Sequence, residues 1–245
     1  MEKSNVYDKN IKYLKKHFLD IAVEIDLLVE ENNVIVDESL QGEKIFAIEN
    51  EGRICYLNSR YNDKHAAMLW AEQYNNINPN SVVIMYGLSN FSYVKAMKEY
   101  MGEDNKLFLL YEPDPQIFLK AVNYIDIESA MVDNRMFIVV GGMNEHLVYD
   151  FLSEAIDYGK LKCVERCCMP GYEKIYAKGW SEIVSKIKQS FEIIIMDKNT
   201  QLTFSDELIK NMLANYEDIV NQYTINQLYE KFVKIHVSDI PAIIV

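Results

Sequence analysis

The tetrapeptide Gly87-Leu88-Ser89-Asn90 sits between an apolar run at residues 81–86 and a helical pattern at residues 91–101. A strand–glycine–helix junction of this kind is where open α/β sheets hold nucleotides and related ligands, because a glycine lets backbone approach the ligand and first-turn amides meet its anionic groups. Gly87 and Asn90 are therefore candidate cofactor-binding residues. A dinucleotide fingerprint carries three glycines in Gly-x-Gly-x-x-Gly, whereas Ser89 and Phe91 or Ser92 fill the remaining places here, so a tight structural turn is the competing reading.

Glu112 closes a second apolar run at residues 106–111, at about the separation from Gly87 at which an acidic residue meets a ribose in nucleotide-binding folds. In Glu112-Pro113-Asp114-Pro115 the aspartate fits a helix cap and Pro115 the first helical turn, where no amide donor is needed. Glu112 is thus a ligand candidate and Asp114 a structural one. Gly141-Gly142-Met143-Asn144 ends a third apolar run at residues 136–140 on the same side of a parallel sheet, which adds Gly141 and Gly142 to the candidates. Their alternative is a strand-to-helix turn capped by Asn144. Which cofactor this set would hold is not legible in the residues.

Other chemistries find no support. His17, His65, His146 and His236 are scattered without metal-ligand spacing, no Gly-x-Ser-x-Gly elbow occurs, and no cysteine has a nearby histidine, so neither metal nor catalytic residues are expected. Trp70 and Trp180 sit on apolar helical faces, where packing is the commoner role. Arg60, beside Tyr61, fits either an anion or an acidic side chain.

The elements that must position these residues follow from periodicity. Ile11, Leu14, Phe18, Ile21 or Ala22, and Ile25 predict one amphipathic helix. Short β-rich runs at residues 34–36, 44–48 and 53–57, with turns at Gln41-Gly42 and Asn50-Glu51-Gly52, predict an antiparallel meander. A helix capped by Asn62 or Asp63 leads into alternating strands and helices: strands at 81–86, 106–111 and 136–140, helices at 91–101, 115–123 and 144–158. Strands apolar on both faces and separated by helices predict a Rossmann-like parallel sheet with helices on both faces. After Pro170-Gly171 come two long helices, 172 to about 195 and 204 to about 223, the second with Ser205 as cap. The expected fold class is α/β, divided into an N-terminal helix and meander (1–60), the Rossmann-like domain (61–170), a helical arm (171–239) and the first strand of a further domain (240–245).

Composition bounds the function. Of 245 residues 49% are hydrophobic, with only nine glycines and five prolines, which suits a packed α/β protein rather than a disordered chain. A net charge of −12 opposes nucleic-acid binding. Cys55, Cys163, Cys167 and Cys168 form no Cys-x-x-Cys pair, and the opening Met1-Glu2-Lys3-Ser4 has neither a basic patch nor an apolar run. Reduced thiols, no leader and no membrane span make a cytoplasmic location the expectation.

Four stretches carry a resemblance. Tyr56-Leu57-Asn58-Ser59-Arg60-Tyr61-Asn62, the strand and turn at 82–87, Leu110-Tyr111-Glu112-Pro113-Asp114 and Ile240-Pro241-Ala242-Ile243-Ile244-Val245 together resemble the motility accessory factor family, linked to flagellin glycosylation in bacteria. Asn211-Met212-Leu213-Ala214-Asn215-Tyr216 resembles the helix that precedes that family's second domain. The family pattern has Ser-Arg-Tyr-Asp-Pro and a glycine-rich turn; here Asn62-Asp63 replaces Asp-Pro and the turn keeps only Gly87. The resemblance implies that Ile243-Ile244-Val245 opens a downstream domain like 6-hydroxymethylpterin diphosphokinase MptE, which would take a nucleotide sugar and transfer a nonulosonic (sialic-like) sugar to Ser or Thr of flagellin. Residues 1–245 would then be a non-catalytic N-terminal domain with flagellin as partner. Two other readings stay open: an S-adenosylmethionine- or nucleotide-binding Rossmann-like enzyme such as a methyltransferase, and an interaction module without catalysis.

Overall fold

The computed structural model describes residues 5–50, 52–99, 107–131, 135–157, 163–222, 224 and 227–228. The chain divides into two compact units, Met1–Ile195 and Met196–Val245. The first is a Rossmann-like α/β unit.

Its N-terminus is two helices, α1 (Asn5–His17) and α2 (Leu19–Leu27), instead of the single helix that the periodicity predicts. Phe18 leaves helical geometry at φ −144°, ψ 63°. Its ring meets Phe137 edge-on at 5.8 Å, so it remains part of the apolar face although the backbone breaks there. On α1 the buried Asn10 donates to Val122 O and Ile125 O and accepts from Ile127 N, which fastens α1 to the middle of the chain.

β1 (Val34–Glu38), β2 (Lys44–Asn50) and β3 (Arg53–Tyr56) form the expected antiparallel meander in the order β1-β2-β3. Asn62 caps α3 (Asp63–Ala71) by accepting from His65 N at 2.9 Å. The main sheet is parallel and four-stranded: β4 (Ser81–Tyr86), β5 (Leu107–Glu112), β6 (Met136–Val140) and β7 (Cys163–Cys168), in the order β6-β5-β4-β7. Every residue of β4 is buried, as its unbroken apolar run requires of a central parallel strand, and each aliphatic side chain there contributes roughly 1.5–3 kcal/mol through burial. The sequence pattern does not reveal β7. It is an edge strand with Glu165 and Arg166 in its middle and only Cys167 fully buried.

The intervening helices are α4 (Ser92–Lys98), α5 (Pro115–Tyr124), α6 (Ile127–Ala130) and α7 (Leu147–Asp157). α4 starts one residue later than the pattern suggests because Phe91 is left-handed at φ 63°. Asp114 caps α5, accepting from Gln116 N at 2.8 Å with Pro115 in the first turn. Asn144 is not the cap of α7: its side chain accepts from Val140 N and donates to Ile138 O, closing the end of β6, and the helix begins only at Leu147.

α8 (Pro170–Ile175) is followed by α9 (Ala177–Ala214) and α10 (Tyr216–Asn221). The expected interruption before Ser205 is absent. Thr200, Thr203 and Ser205 donate to Met196 O, Asn199 O and Leu202 O, so their hydroxyls are satisfied by the preceding turn and the polar stretch stays helical. The strand expected at residues 240–245 lies outside the described residues. Among the described residues no helix is long and apolar enough to cross a membrane, and no group of three potential ligands could hold a metal ion.

Candidate functional site

The order β6-β5-β4-β7 places a reversal at β4, since the chain steps outward to β5 and β6 and then returns to the other side. Beyond the carboxyl ends of strands at such a reversal lies the usual ligand crevice of open α/β sheets. Gly87 is there, at φ 89°, a conformation that glycine adopts without steric cost. A Cβ at this position would lie 2.4 Å from the Tyr172 ring, so the glycine admits that ring against the backbone.

Glu112 stands at the end of β5 with no exposure. Its Oε2 accepts from Leu88 N at 2.9 Å, Ser89 N at 3.2 Å and the Tyr172 hydroxyl at 2.6 Å, while Oε1 accepts from Asp114 N at 3.1 Å. The loop amides that would face a ligand are therefore directed at the chain's own carboxylate. Burial pushes the Glu112 carboxyl up to about 7, and the bonds from Tyr172 and the three amides only partly oppose this. That value suits general acid–base chemistry. The enclosed position and the full set of internal donors make the group a structural clasp in this state.

Asn90 belongs to a second network on the other side of the loop. Its Nδ2 donates to Asp63 Oδ2 at 2.7 Å and to Lys44 O at 2.8 Å, and its Oδ1 accepts from Asn58 Nδ2 at 2.8 Å and Ser92 N at 3.1 Å. Asn58 Oδ1 accepts from Ser89 Oγ and Phe46 N, and Asp63 Oδ1 accepts from Ser59 N. This polar cluster binds the meander and the start of α3 to the loop. Within this loop Ser89, bonded to Asn58 through its hydroxyl, and Phe91 take positive φ, which costs non-glycine residues on the order of 1–3 kcal/mol each. Asn90 and Asp63 then form one wall of an open cleft of about 470 Å³ that includes Lys64, Lys95, Tyr124 and Asp126.

The two remaining candidates differ in their surroundings. Gly141 packs beside Glu112 and Pro113 through backbone alone: its N donates to Glu112 O at 2.8 Å, and a Cβ would sit 2.6 Å from Pro113 O. Gly142 is exposed at φ 73° in a turn with nothing within 4 Å of a Cβ. The structure therefore brings Gly87, Asn90 and Glu112 to one loop, adds Gly141 by backbone contact and leaves Gly142 outside. Arg60 lies with its guanidinium carbon 4.7 Å from the centre of the Tyr56 ring, and Tyr56 in turn donates to Asp37.

Sequence reasoning misses the aromatic cover. Tyr86 stacks on Tyr111 at 5.4 Å and meets Tyr172 edge-on at 6.2 Å and Trp180 at 5.1 Å. Tyr172 stacks on Tyr176, whose hydroxyl donates to Asp114 at 2.7 Å, and the Tyr111 hydroxyl donates to Glu145. Burial and the neighbouring carboxylates raise the pKa of Tyr111, Tyr172 and Tyr176. Close approach is permitted by glycines on both sides: a Cβ at Gly171 would fall 2.5 Å from Leu57 O, and one at Gly179 would fall 2.6 Å from the Tyr86 hydroxyl. That hydroxyl is buried and has no hydrogen-bond partner among the described residues. The available signal was Pro170-Gly171 followed by Tyr172 and Tyr176, a turn leading to aromatics at helical spacing.

All four cysteines are free thiols, and burial pushes Cys168 up to about 12, far from the reactive thiolate range.

No protein-family model and no curated protein matches the chain. Among solved structures, spermidine synthase from Thermotoga maritima aligns at 17% identity over 50% of this chain and 44% of that chain, with a TM-score of 0.30. MnmC2 from Aquifex aeolicus aligns at 13% identity over 62% of this chain and 67% of that chain, with a TM-score of 0.31.

Proposed function

We propose that this chain is the N-terminal, non-catalytic domain of a motility accessory factor-like protein that takes part in flagellin glycosylation, bracing or positioning the acceptor while another domain performs the sugar transfer. The observation that supports a non-catalytic role is the self-occupied crevice: Glu112 takes the loop amides and Tyr172 covers Gly87, so the place for a ligand is filled by the chain's own side chains. The family assignment rests on the motif resemblance around Asn58, Glu112 and Asn211. Two motif residues have structural work here, since Asn58 and Glu112 hold the Gly87 loop from opposite sides.

The test is the intact mass of flagellin from the bacterium that carries the gene and from a strain lacking it. Loss of sugar mass in the deletion strain, restored by the gene, is the expected result. Unchanged flagellin mass would remove the assignment.

A second reading, an S-adenosylmethionine- or nucleotide-binding enzyme, is favoured by the adjacency of Gly87 and Glu112 at the ends of neighbouring parallel strands. Titration calorimetry with S-adenosylmethionine and nucleotide sugars separates the two. Heat of binding to the wild-type chain supports the enzyme reading; none at millimolar ligand, either with wild type or with Tyr172→Ala, eliminates it.

A further inference from the structure

The open cleft bounded by Asn90 and Asp63 contains polar groups that the chain's own hydrogen bonds leave over. Its volume of about 470 Å³ lies in the range of small-molecule sites. α4 supplies Ser92 and Lys95 to the lining, three residues apart and so on one face of the helix, and α3, which packs on α4, supplies Lys64.

Much of the lining is already satisfied. The carboxylates of Asp63, Asp126 and Glu43 accept from Asn90, Lys9 and Ser39, and Lys44 pairs with Glu38. Lys64 and Lys95, by contrast, make no ion pair or hydrogen bond among the described residues. Partial burial lowers the pKa of Lys95; Asp126 opposes this and Lys98 reinforces it. The ammonium has given up hydration without gaining a paired carboxylate. The Ser92 hydroxyl oxygen is buried and also lacks a partner among the described residues. Thr200 and Thr203 return their hydroxyls to the preceding helical turn, but Ser92 opens α4 and has no such turn behind it. Two lysines and a hydroxyl thus stand against Glu99 as the lining carboxylate without a bond, a balance that favours an anion over a cation.

We propose that this cleft binds a small molecule through a terminal oxyanion, a phosphoryl or carboxylate group, held by Lys95 and the Ser92 hydroxyl with Lys64 contributing from α3. A lysine ammonium is a compact point charge that serves either anion. The hydroxyl turns toward the anion by rotation about its Cα–Cβ bond and breaks no existing hydrogen bond in doing so. Met68 and Ile125 give the body of the ligand an apolar wall.

Titration calorimetry of the full chain tests this with glucose 6-phosphate as the phosphoryl probe, glucuronate as the carboxylate probe and glucose as the neutral control. Saturable binding of at least one anion is expected, and none of glucose. Tighter binding of glucose 6-phosphate assigns the phosphoryl group, and tighter binding of glucuronate the carboxylate. Lys95→Gln is expected to weaken the binding by about tenfold, the usual worth of one charge-assisted bond. Ser92→Ala is expected to weaken it as well, with the thermal midpoint of both variants unchanged. Lys188→Gln removes the same charge from an exposed position on α9 outside the cleft and is expected to bind like wild type. Neither anion binding at millimolar concentration, glucose binding as well as the anions, or equal weakening by Lys95→Gln and Lys188→Gln would each overturn the proposal.

Discussion

Glu112 is a fully buried carboxyl whose partners are three backbone amides and the Tyr172 hydroxyl. Its pKa of about 7 lies above the ordinary 4.5, so between those values the folded chain holds a proton that the unfolded chain has released. The resulting stabilisation is complete below the ordinary value and is lost as pH rises through about 7, a change on the order of 3 kcal/mol. Thermal melts between about pH 5 and about pH 8 should therefore show a falling midpoint, and Glu112→Gln should flatten that fall. Equal slopes for the two proteins would show that Glu112 does not titrate as described. Tyr172→Phe keeps the ring against Gly87 but removes the hydroxyl that donates to Oε2. Denaturant unfolding above pH 7 should reveal a loss of about 1.5–3 kcal/mol, the usual worth of a bond to a charged group, and a smaller loss in acid where the carboxyl is neutral. A loss independent of pH would separate the hydroxyl from the carboxylate.

At the scale of elements, Asp206→Pro distinguishes two courses for the arm. If a helix began at a Ser205 cap, residue 206 would be the first helical position, where proline is tolerated. In α9 it is an interior position, so the substitution should cost about 3 kcal/mol of helix stability and visibly reduce the circular dichroism at helical wavelengths. An unchanged spectrum would favour the interrupted helix. This case also shows what the sequence conceals. Thr200, Thr203 and Ser205 resemble a cap region because such residues compete with helical bonding, yet their hydroxyls can equally bond back to the preceding turn, and composition does not distinguish the two outcomes. Asn62 and Asp114-Pro115 were legible because a cap acts within three residues of itself. Phe18 and β7 were not. A one-residue break preserves the apolar spacing on either side, and an edge strand needs few apolar residues, so neither leaves a periodic trace. In the candidate site, Gly87 and Glu112 were legible from their places at strand ends. Tyr172 was hidden because its contact with them is made across 60 residues and more, and only the packing of α8 onto the sheet creates it.

On the scale of the whole molecule, the three buried residues of α9, Ile183, Ile187 and Ile194, all precede residue 195. They belong to the same core as the parallel sheet, together with Leu14, Phe46 and Tyr172. The fully buried core of the unit Met1–Ile195 is supplied by that unit's own residues. Since burial of apolar surface is the main favourable term in folding, removing residues 196–245 should leave the sheet unit's stability almost unchanged. A 1–195 fragment is expected to melt within a few degrees of the full chain and to keep the falling midpoint with rising pH that Glu112 imposes, since every partner of that carboxyl lies within the fragment. Scanning calorimetry of both proteins across the same pH series makes the comparison. A fragment that melts far lower, or loses its pH dependence, would mean that the two units fold as one cooperative body and that residues beyond 195 support the crevice.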